Sequence, residues 1–424
     1  MPSYPPEPLA GTARVHWRSR VVRYYAGAIV IVALASTYYL LAWSSLVSLL
    51  TFCAEVFCDF TNCFFPMGEV VFDAGQPVGC FIYSPFAALF FSAFTPLGLD
   101  NALVFWGVVQ ALSVALLLLS FRQLVPSASL PIQLLFVALA AASYPVWLNV
   151  KVGSVGVITT VALWGVLVSI ERGHRVVAAV LLAFAASFKF YPLLFIVPIA
   201  VSSDRRWLSY SIAAGAAVLI FVPAMALGFD VTIQFYSGLF DAFRNSDWVR
   251  DNPHSQYLPN VLCRLTGLAD AQTSAAVWLF TLISYSVAVA NLGLIYLIQR
   301  ARLSQASLWS FQIVFLTVPF VLKTSWETDF VFLPFTQALL LWRQRTKGST
   351  DSTDQTAPNR RSTLMALIVI SIVFSTIFFF HLLGTFVGYG SVALLFVANL
   401  LVLIVLYTEL MPEATCVHKT VPSL

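Results

Sequence analysis

The stretch Val176–Val201, "VVAAVLLAFAASFKFYPLLFIVPIAV", carries one charge, Lys189, in an otherwise apolar run. A bilayer core about 30 Å thick needs roughly 20 apolar residues per helix. The run is interrupted near its middle by Lys189 and Pro192. It reads as two short helices, Val176–Lys189 and Phe190–Val201, which either form a hairpin that stops short of crossing or border a cavity. A lysine at membrane depth is costly, and its default reading is functional. The plainer alternative is a side chain that snorkels to the outer interface.

Composition extends this reading to the whole chain. Of 424 residues, 59% are hydrophobic and 10% charged, with a mean hydropathy of +0.86. Soluble domains carry about 25% charged residues. A soluble globular protein is excluded, and the fold class expected is an all-α polytopic membrane protein. The net charge of +4 is too small to imply a nucleic-acid partner.

Working outward from Lys189, the apolar runs give about 12 transmembrane helices. They are Tyr24–Leu50, Asn101–Phe121, Pro131–Val146, Trp147–Ile170, the pair around Lys189, Trp207–Leu227, Ala275–Ile298, Ala306–Leu322, Phe330–Leu341, Thr363–Leu383 and Val387–Tyr407. The first is longer than a signal-peptide core of about 7–15 residues and is read as a retained helix. A further piece, "YSPFAALFFSAFTPLG" from Tyr83, is bounded by prolines and reads as interfacial or re-entrant.

Charge sets the orientation. Cytoplasmic loops collect Lys and Arg. With the N-terminus inside and the Tyr83 piece not crossing, seventeen of the 23 Lys and Arg residues fall on the inner side, including Arg122, Arg172, Arg175, Arg300 and Arg343. Lys151 and Lys189 fall outside. If the Tyr83 piece crossed, "ERGHR", "SDRRW" and "WRQRTKGS" would all face out. The expectation is a plasma (inner) membrane protein with both termini cytoplasmic and its site facing outward. Residues 1–345 form the main module, 346–362 a polar cytoplasmic linker, and 363–424 a terminal helix pair with a short tail. No internal repeat is visible, and transporter folds are commonly built from repeats.

The chemistry-bearing residues concentrate outside. Twelve of the 19 acids lie there, together with His254. Two outer loops, 51–100 and 228–274, are aromatic-rich with scattered charge, which suits amphipathic helices on a membrane surface. Asp59, in "EVFCDFTNCFF", is a carboxylate set among aromatics and cysteines. Lys189 reads as a counter-ion for an anionic group near the outer leaflet, such as a lipid phosphate. Lys151, in "WLNVKVGSVGV", has a similar position, beside Gly153 and Gly156. Trp326, with Glu327 and Asp329 beside it, links two spans. Cysteines 53, 58, 63, 80 and 263 face outward, an odd number. Disulfides in the first loop are permitted there, and spacing alone does not assign them. No Cys/His set has metal spacing, no phosphate-binding glycine loop is present, and no cofactor or metal is expected.

Taken in order, six pieces resemble the GT-C-type membrane glycosyltransferases, and among them glycosyltransferase family 87. They are "CDFTNCFF", "FIYSPFAALFFSAFTPLG", "LNVKVGSVGV", "ASFKFYPLLF", "HSQYLPNVLCRLTG" and "SWETDFVFLP", spread over roughly residues 20 to 345. Two departures stand out. The family commonly has a Gly-Gln-Val-Asn-like run where this chain has "GSVGV". It commonly has a histidine after the Ser-Trp pair, where this chain has Glu327, Thr328 and Asp329.

The resemblance implies GT-C-like architecture and an inverting transfer. A sugar moves from a polyprenyl-phosphate donor to a hydroxyl of a glycolipid or glycan acceptor. It implies Asp59 as general base, with Asp73 in "VVFDAGQPVG" as runner-up, and Lys189 and Lys151 at the donor phosphate. Tyr83, Asn149, Tyr191, His254, Trp326 and Glu327 are the substrate-binding candidates, and membrane lipid is the other expected partner. The alternatives are a transporter or flippase of lipid-linked sugars, a non-catalytic scaffold of an envelope-synthesis complex, and a lipid-linked oligosaccharide ligase or polymerase.

Overall fold

The computed structural model describes residues 10–42, 53, 55–201, 205–244, 252–268, 274–347, 357–378, 390 and 392–420. The regular structure of the described residues is helical, with one isolated bridge between Ser143 and Thr376 and no strand among them. In chain order the helices are α1 (Ala10–Leu41), α2 (Phe65–Ala74), α3 (Pro85–Ser92), α4 (Gly98–Leu124), α5 (Leu130–Ala141) and α6 (Tyr144–Val152). Next come α7 (Gly156–Glu171), α8 (Arg175–Phe188), α9 (Ile196–Val201), α10 (Arg205–Ala216), α11 (Val222–Leu227) and α12 (Phe229–Arg244). The last are α13 (Leu258–Thr266), α14 (Ser274–Arg300), α15 (Ala306–Val321), α16 (Leu333–Lys347), α17 (Ala357–Ser375) and α18 (Leu394–Thr420).

Five helical stretches among the described residues are long and apolar enough to cross a membrane, and six if the bent pair α6–α7 counts as one. Four more apolar helices are shorter, α5, α8 and α15 among them. Long and short helices together give ten at most among the described residues, short of the twelve crossings expected. Residues 43–52, parts of the 228–274 loop, and much of the 346–362 linker lie outside the described residues, as do residues 379–389, which take in the end of the expected span Thr363–Leu383 and the start of Val387–Tyr407.

Two breaks shape one end of the bundle. The expected single span Trp147–Ile170 is bent by 117° between α6 and α7. Gly153 ends α6 in the left-handed region, at φ +73°, where a β-carbon is disfavoured. Asn149 then turns its side chain back on the next helix, its Oδ1 accepting the Val157 N–H at 3.0 Å. The Tyr83 piece forms α3, capped by Ser84, whose Oγ accepts the Ala87 N–H, and a short 3-10 turn before α4. Pro85 to Leu124 is a 40-residue apolar stretch. It would reach roughly 60 Å as one rod, twice a bilayer core, so the Gly98 break (φ +69°) lets α3 pack beside α2 instead. Gly68 marks that crossing, since a β-carbon there would lie 2.8 Å from the Phe91 carbonyl group.

The core has two parts. The larger fills the bundle, with members from Cys53 to Leu410. The smaller is an aromatic cluster under the first loop, where Phe60 stacks on Trp106 at 5.2 Å and Phe64 on Phe91 at 4.6 Å. Disulfides Cys53–Cys58 and Cys63–Cys80 staple that loop, and Cys263 is a buried thiol. The terminal helices dock on the main body through buried polar contacts. Gln337 donates to Ser371 and Ser375, Asn399 to the Leu316 carbonyl, and Tyr407 to Asn291.

Candidate active site

Where α7 begins, α8 ends and α16 is about to start, three helix ends and two loops enclose a cavity of about 420 Å³. Asp59, Tyr83, Ser154, Lys189, His254, Trp326 and Glu327 all line it. The same helices carry arginines or lysines at their other ends: Arg172 after α7, Arg175 opening α8, and Arg343 to Lys347 closing α16. The cavity therefore sits at the cation-poor end of the bundle.

Each side chain is held by local structure. Phe57 takes a left-handed conformation, φ +60°, rare for an aromatic residue. Its N–H donates to the Lys151 carbonyl at 2.8 Å. The Lys151 ammonium in turn donates to the carbonyls of Cys53, at 3.1 Å, and Glu55. This clamp sets the helical turn that carries Asp59 and continues through a π-turn at Phe60–Phe64. On the other side, Ser84 donates to the Ser187 carbonyl from its hydroxyl, at 2.7 Å, and from its backbone. That pairing brings Tyr83 beside Lys189, whose ammonium lies 6.0 Å from the Tyr83 ring centre.

The embedded lysine has a partner. Lys189 Nζ lies 2.7 Å from Asp329 Oδ1, and Asp329 Oδ2 accepts the Trp326 N–H at 3.0 Å. Both side chains are nearly buried, at 9% and 2% exposure. Burial pushes the Asp59 carboxyl up to about 6, with Lys189 and a hydrogen bond from Ser154 pulling it part of the way back. Glu327 is buried, accepts the Tyr144 hydroxyl on Oε2 at 2.9 Å, and has His254 Nδ1 3.5 Å from the same oxygen. Its other oxygen, Oε1, has no hydrogen-bond partner among the described residues. Arg264 holds the His254 loop by donating to the carbonyls of Asn252 and Ser255.

A second cavity, of about 460 Å³, shares Ile82, Tyr83, Lys189 and Trp326 with the first. From that junction it runs between Phe188 and Leu193 of the lysine hairpin, Tyr236, Phe240 and Phe243 of α12, and Val321 and Leu322. Its walls are mostly apolar, and Asp329 stands at its polar end.

The residues expected from sequence divide accordingly. Asp59, Tyr83, Lys189, His254, Trp326 and Glu327 share the first cavity, and Tyr191 lines the second. Asp73 is exposed near the end of α2 and lines neither. Lys151 lines neither, because its ammonium is engaged with the loop carbonyls that hold the Asp59 turn. Asn149, fully buried, is the support for the start of α7. Sequence reasoning left Ser154, Thr328 and Asp329 out of the site. The Asp329 signal was available, since an embedded lysine calls for an acid and "SWETDF" offers two. Among the described residues no group of three or more His, Cys, Asp or Glu is placed to hold a metal ion.

Apolar helices of membrane-spanning length, packed around a cavity with an embedded ion pair, describe a polytopic membrane protein. The model of glycosyltransferase family 87 matches residues 81–325, more than half of the chain, and the chain belongs to that family. It is a glycosyltransferase. The matched stretch contains Tyr83, Lys189 and His254, and ends just before the turn of Glu327 and Asp329. A comparison with curated proteins gives no match.

Proposed function

We propose that this enzyme transfers a sugar from a polyprenyl-phosphate donor to a hydroxyl of a glycolipid or glycan, with inversion, at the outer face of the membrane. The supporting observation is the placement of Lys189 at the junction of a polar cavity and an apolar groove, with Asp59 on the polar side. A prenyl chain fits the groove by its apolar walls. The phosphate then falls at Lys189, whose three N–H donors serve both Asp329 and an incoming anion. The sugar occupies the polar cavity, between Lys189 and Asp59.

The chemistry follows from those positions. The acceptor oxygen forms a bond to the anomeric carbon while the bond from that carbon to the phosphate oxygen breaks. Asp59 takes the hydroxyl proton, and polyprenyl phosphate leaves with its charge stabilised by Lys189. A base near 6 is ionised at neutral pH and still basic enough to assist, a contribution of about 10²–10⁴-fold. Glu327 and His254 lie where the acceptor's other hydroxyls would be held. The cavity's position at the cation-poor end supports the outward orientation.

The test is incubation of the purified enzyme in nanodiscs with a panel of polyprenyl-phosphate sugars and candidate acceptors, measuring released polyprenyl phosphate. One donor should be consumed, and Asp59→Asn should abolish its consumption with the fold intact. Full activity of Asp59→Asn would remove the base assignment. Movement of intact lipid-linked sugar without release of the carrier would instead support a flippase.

A further inference from the structure

The embedded ion pair leaves the polar end of the groove short of positive charge. Lys189 is held 2.7 Å from Asp329, so the two together carry no net charge. Asp59 and Glu327 line the adjoining cavity. An anionic head group at the junction therefore meets three carboxyl groups and one lysine, and like charge at close range disfavours it. A phosphate bound there calls for a further cation from the walls.

The walls contain one. Among the described residues, the Lys and Arg side chains lining the two joined cavities are Lys189 and Lys323. Lys323 lies in the turn after α15 and borders the groove beside Thr324, Trp326 and Asp329. It is exposed, and its ammonium makes no ion pair or hydrogen bond among the described residues. Its backbone, by contrast, is fixed. The Ser325 N–H donates to the Leu322 carbonyl at 3.1 Å, and the Ser255 hydroxyl donates to the Lys323 carbonyl at 3.3 Å. The side chain thus starts from a set point on the groove wall while its charge stays available. A lysine just past a helix C-terminus also suits the helix dipole, which explains the charge but not its place on the groove.

We propose that Lys323 is the second cation of the donor-phosphate subsite, donating to the phosphate from the exposed side while Lys189 holds it from the buried side. This rests on the polyprenyl-phosphate reading of the groove and adds the residue that selects a phosphorylated lipid over a neutral prenyl alcohol. With Lys323 the charged groups of the groove sum to one positive charge in excess; without it they cancel. Lys323 also draws the head group toward the groove, over a range of about 10 Å at 0.1 M salt.

The experiment uses the full-length protein in nanodiscs of phosphatidylcholine, which add no net charge, and reads binding apart from transfer. A fluorescent prenyl phosphate is displaced by unlabelled prenyl phosphate or by the prenyl alcohol of the same length. The wild-type protein should prefer the phosphate, and Lys323→Met should weaken phosphate binding about tenfold. The same variant should leave alcohol binding and the melting temperature unchanged, and Lys323→Arg should retain the preference. Between roughly 50 and 300 mM salt the phosphate affinity should fall more steeply for the wild-type protein than for Lys323→Met. Unchanged phosphate binding in Lys323→Met, or equal loss of phosphate and alcohol, overturns the role of Lys323 and leaves the donor reading standing. A wild-type protein that does not distinguish phosphate from alcohol overturns both.

Discussion

Lys189 and Asp329, 140 residues apart in sequence, form a 2.7 Å ion pair at the point where a polar cavity meets an apolar groove. The pair has two roles that substitutions can separate. Removing one partner of a buried pair strands the other charge, at a cost of about 3–5 kcal/mol. Lys189→Met alone should therefore unfold at markedly lower temperature and lose activity. The double variant Lys189→Met/Asp329→Asn should regain most of the lost stability and none of the activity. Recovery of activity in the double variant would show that the lysine serves the fold alone.

Asp59 gives the enzyme a pH signature. With its carboxyl near 6, the proposed base is mostly protonated at pH 5 and mostly ionised at pH 7. Activity, measured as kcat/KM, should rise with pH through about 6. The Ser154 hydrogen bond favours the ionised form. Ser154→Ala should therefore move the rise to higher pH, so that the variant loses more at pH 6 than at pH 8. An unshifted profile would separate Ser154 from the titrating group.

Gly156 fixes the turn that holds Glu327 and Asp329. A β-carbon there would overlap the Thr328 carbonyl oxygen, a backbone atom with little room to yield. Gly156→Ala should destabilise the protein by about 1–3 kcal/mol or more, as overpacking does. It should also lower turnover, because the displaced turn carries the Lys189 partner. Thermal unfolding followed by tryptophan fluorescence, with initial rates beside it, checks both.

The sequence made the class of fold and half of the site legible for one reason: charges are scarce in it. Asp59 and Lys189 stood out as charges in apolar surroundings, and they share a cavity with His254 and Glu327, which entered as substrate-binding candidates through the resemblance. Lys151 stood out by the same test and turned out to hold backbone carbonyls. A buried lysine needs acceptors, and hydropathy does not say whether a loop or a ligand supplies them. The 117° bend after Gly153 was hidden because α6 and α7 are both apolar, and a glycine reads equally as close packing or as a helix end. Ser154 was invisible for the same reason, since its role depends on that bend.

The two disulfides should separate stability from catalysis. Cys63–Cys80 spans 17 residues, and both cysteines rim the polar cavity. Closing a loop of about 15 residues is worth roughly 3 kcal/mol. Cys63→Ser/Cys80→Ser should lower the melting temperature and raise KM for the acceptor. Cys53–Cys58 spans only 5 and should matter less for stability. It anchors the turn before Asp59, so Cys53→Ser/Cys58→Ser should lower kcat more than it lowers the melting temperature. Equal effects of the two pairs on kcat and Tm would break this division.

The terminal helices should prove part of the catalytic unit. The loop bearing His254 is held from three sides. Gln256 donates its backbone N–H to the Ser325 carbonyl at 2.8 Å, and its Oε1 accepts the Phe396 N–H at 3.1 Å. Gly390 packs against the same loop, where a β-carbon would lie 2.7 Å from the Pro253 carbonyl and 3.1 Å from His254 Nδ1. Gly390→Ala must push that loop, and with it the imidazole beside Glu327. Acceptor KM should rise several-fold while binding of a polyprenyl-phosphate analogue, which reads the Lys189 side, stays unchanged. Gln256→Leu would also leave the Phe396 N–H without its acceptor, so it should lower the melting temperature as well as acceptor affinity. If Gly390→Ala weakened the analogue and the acceptor equally, His254 would belong with the donor phosphate instead of the acceptor.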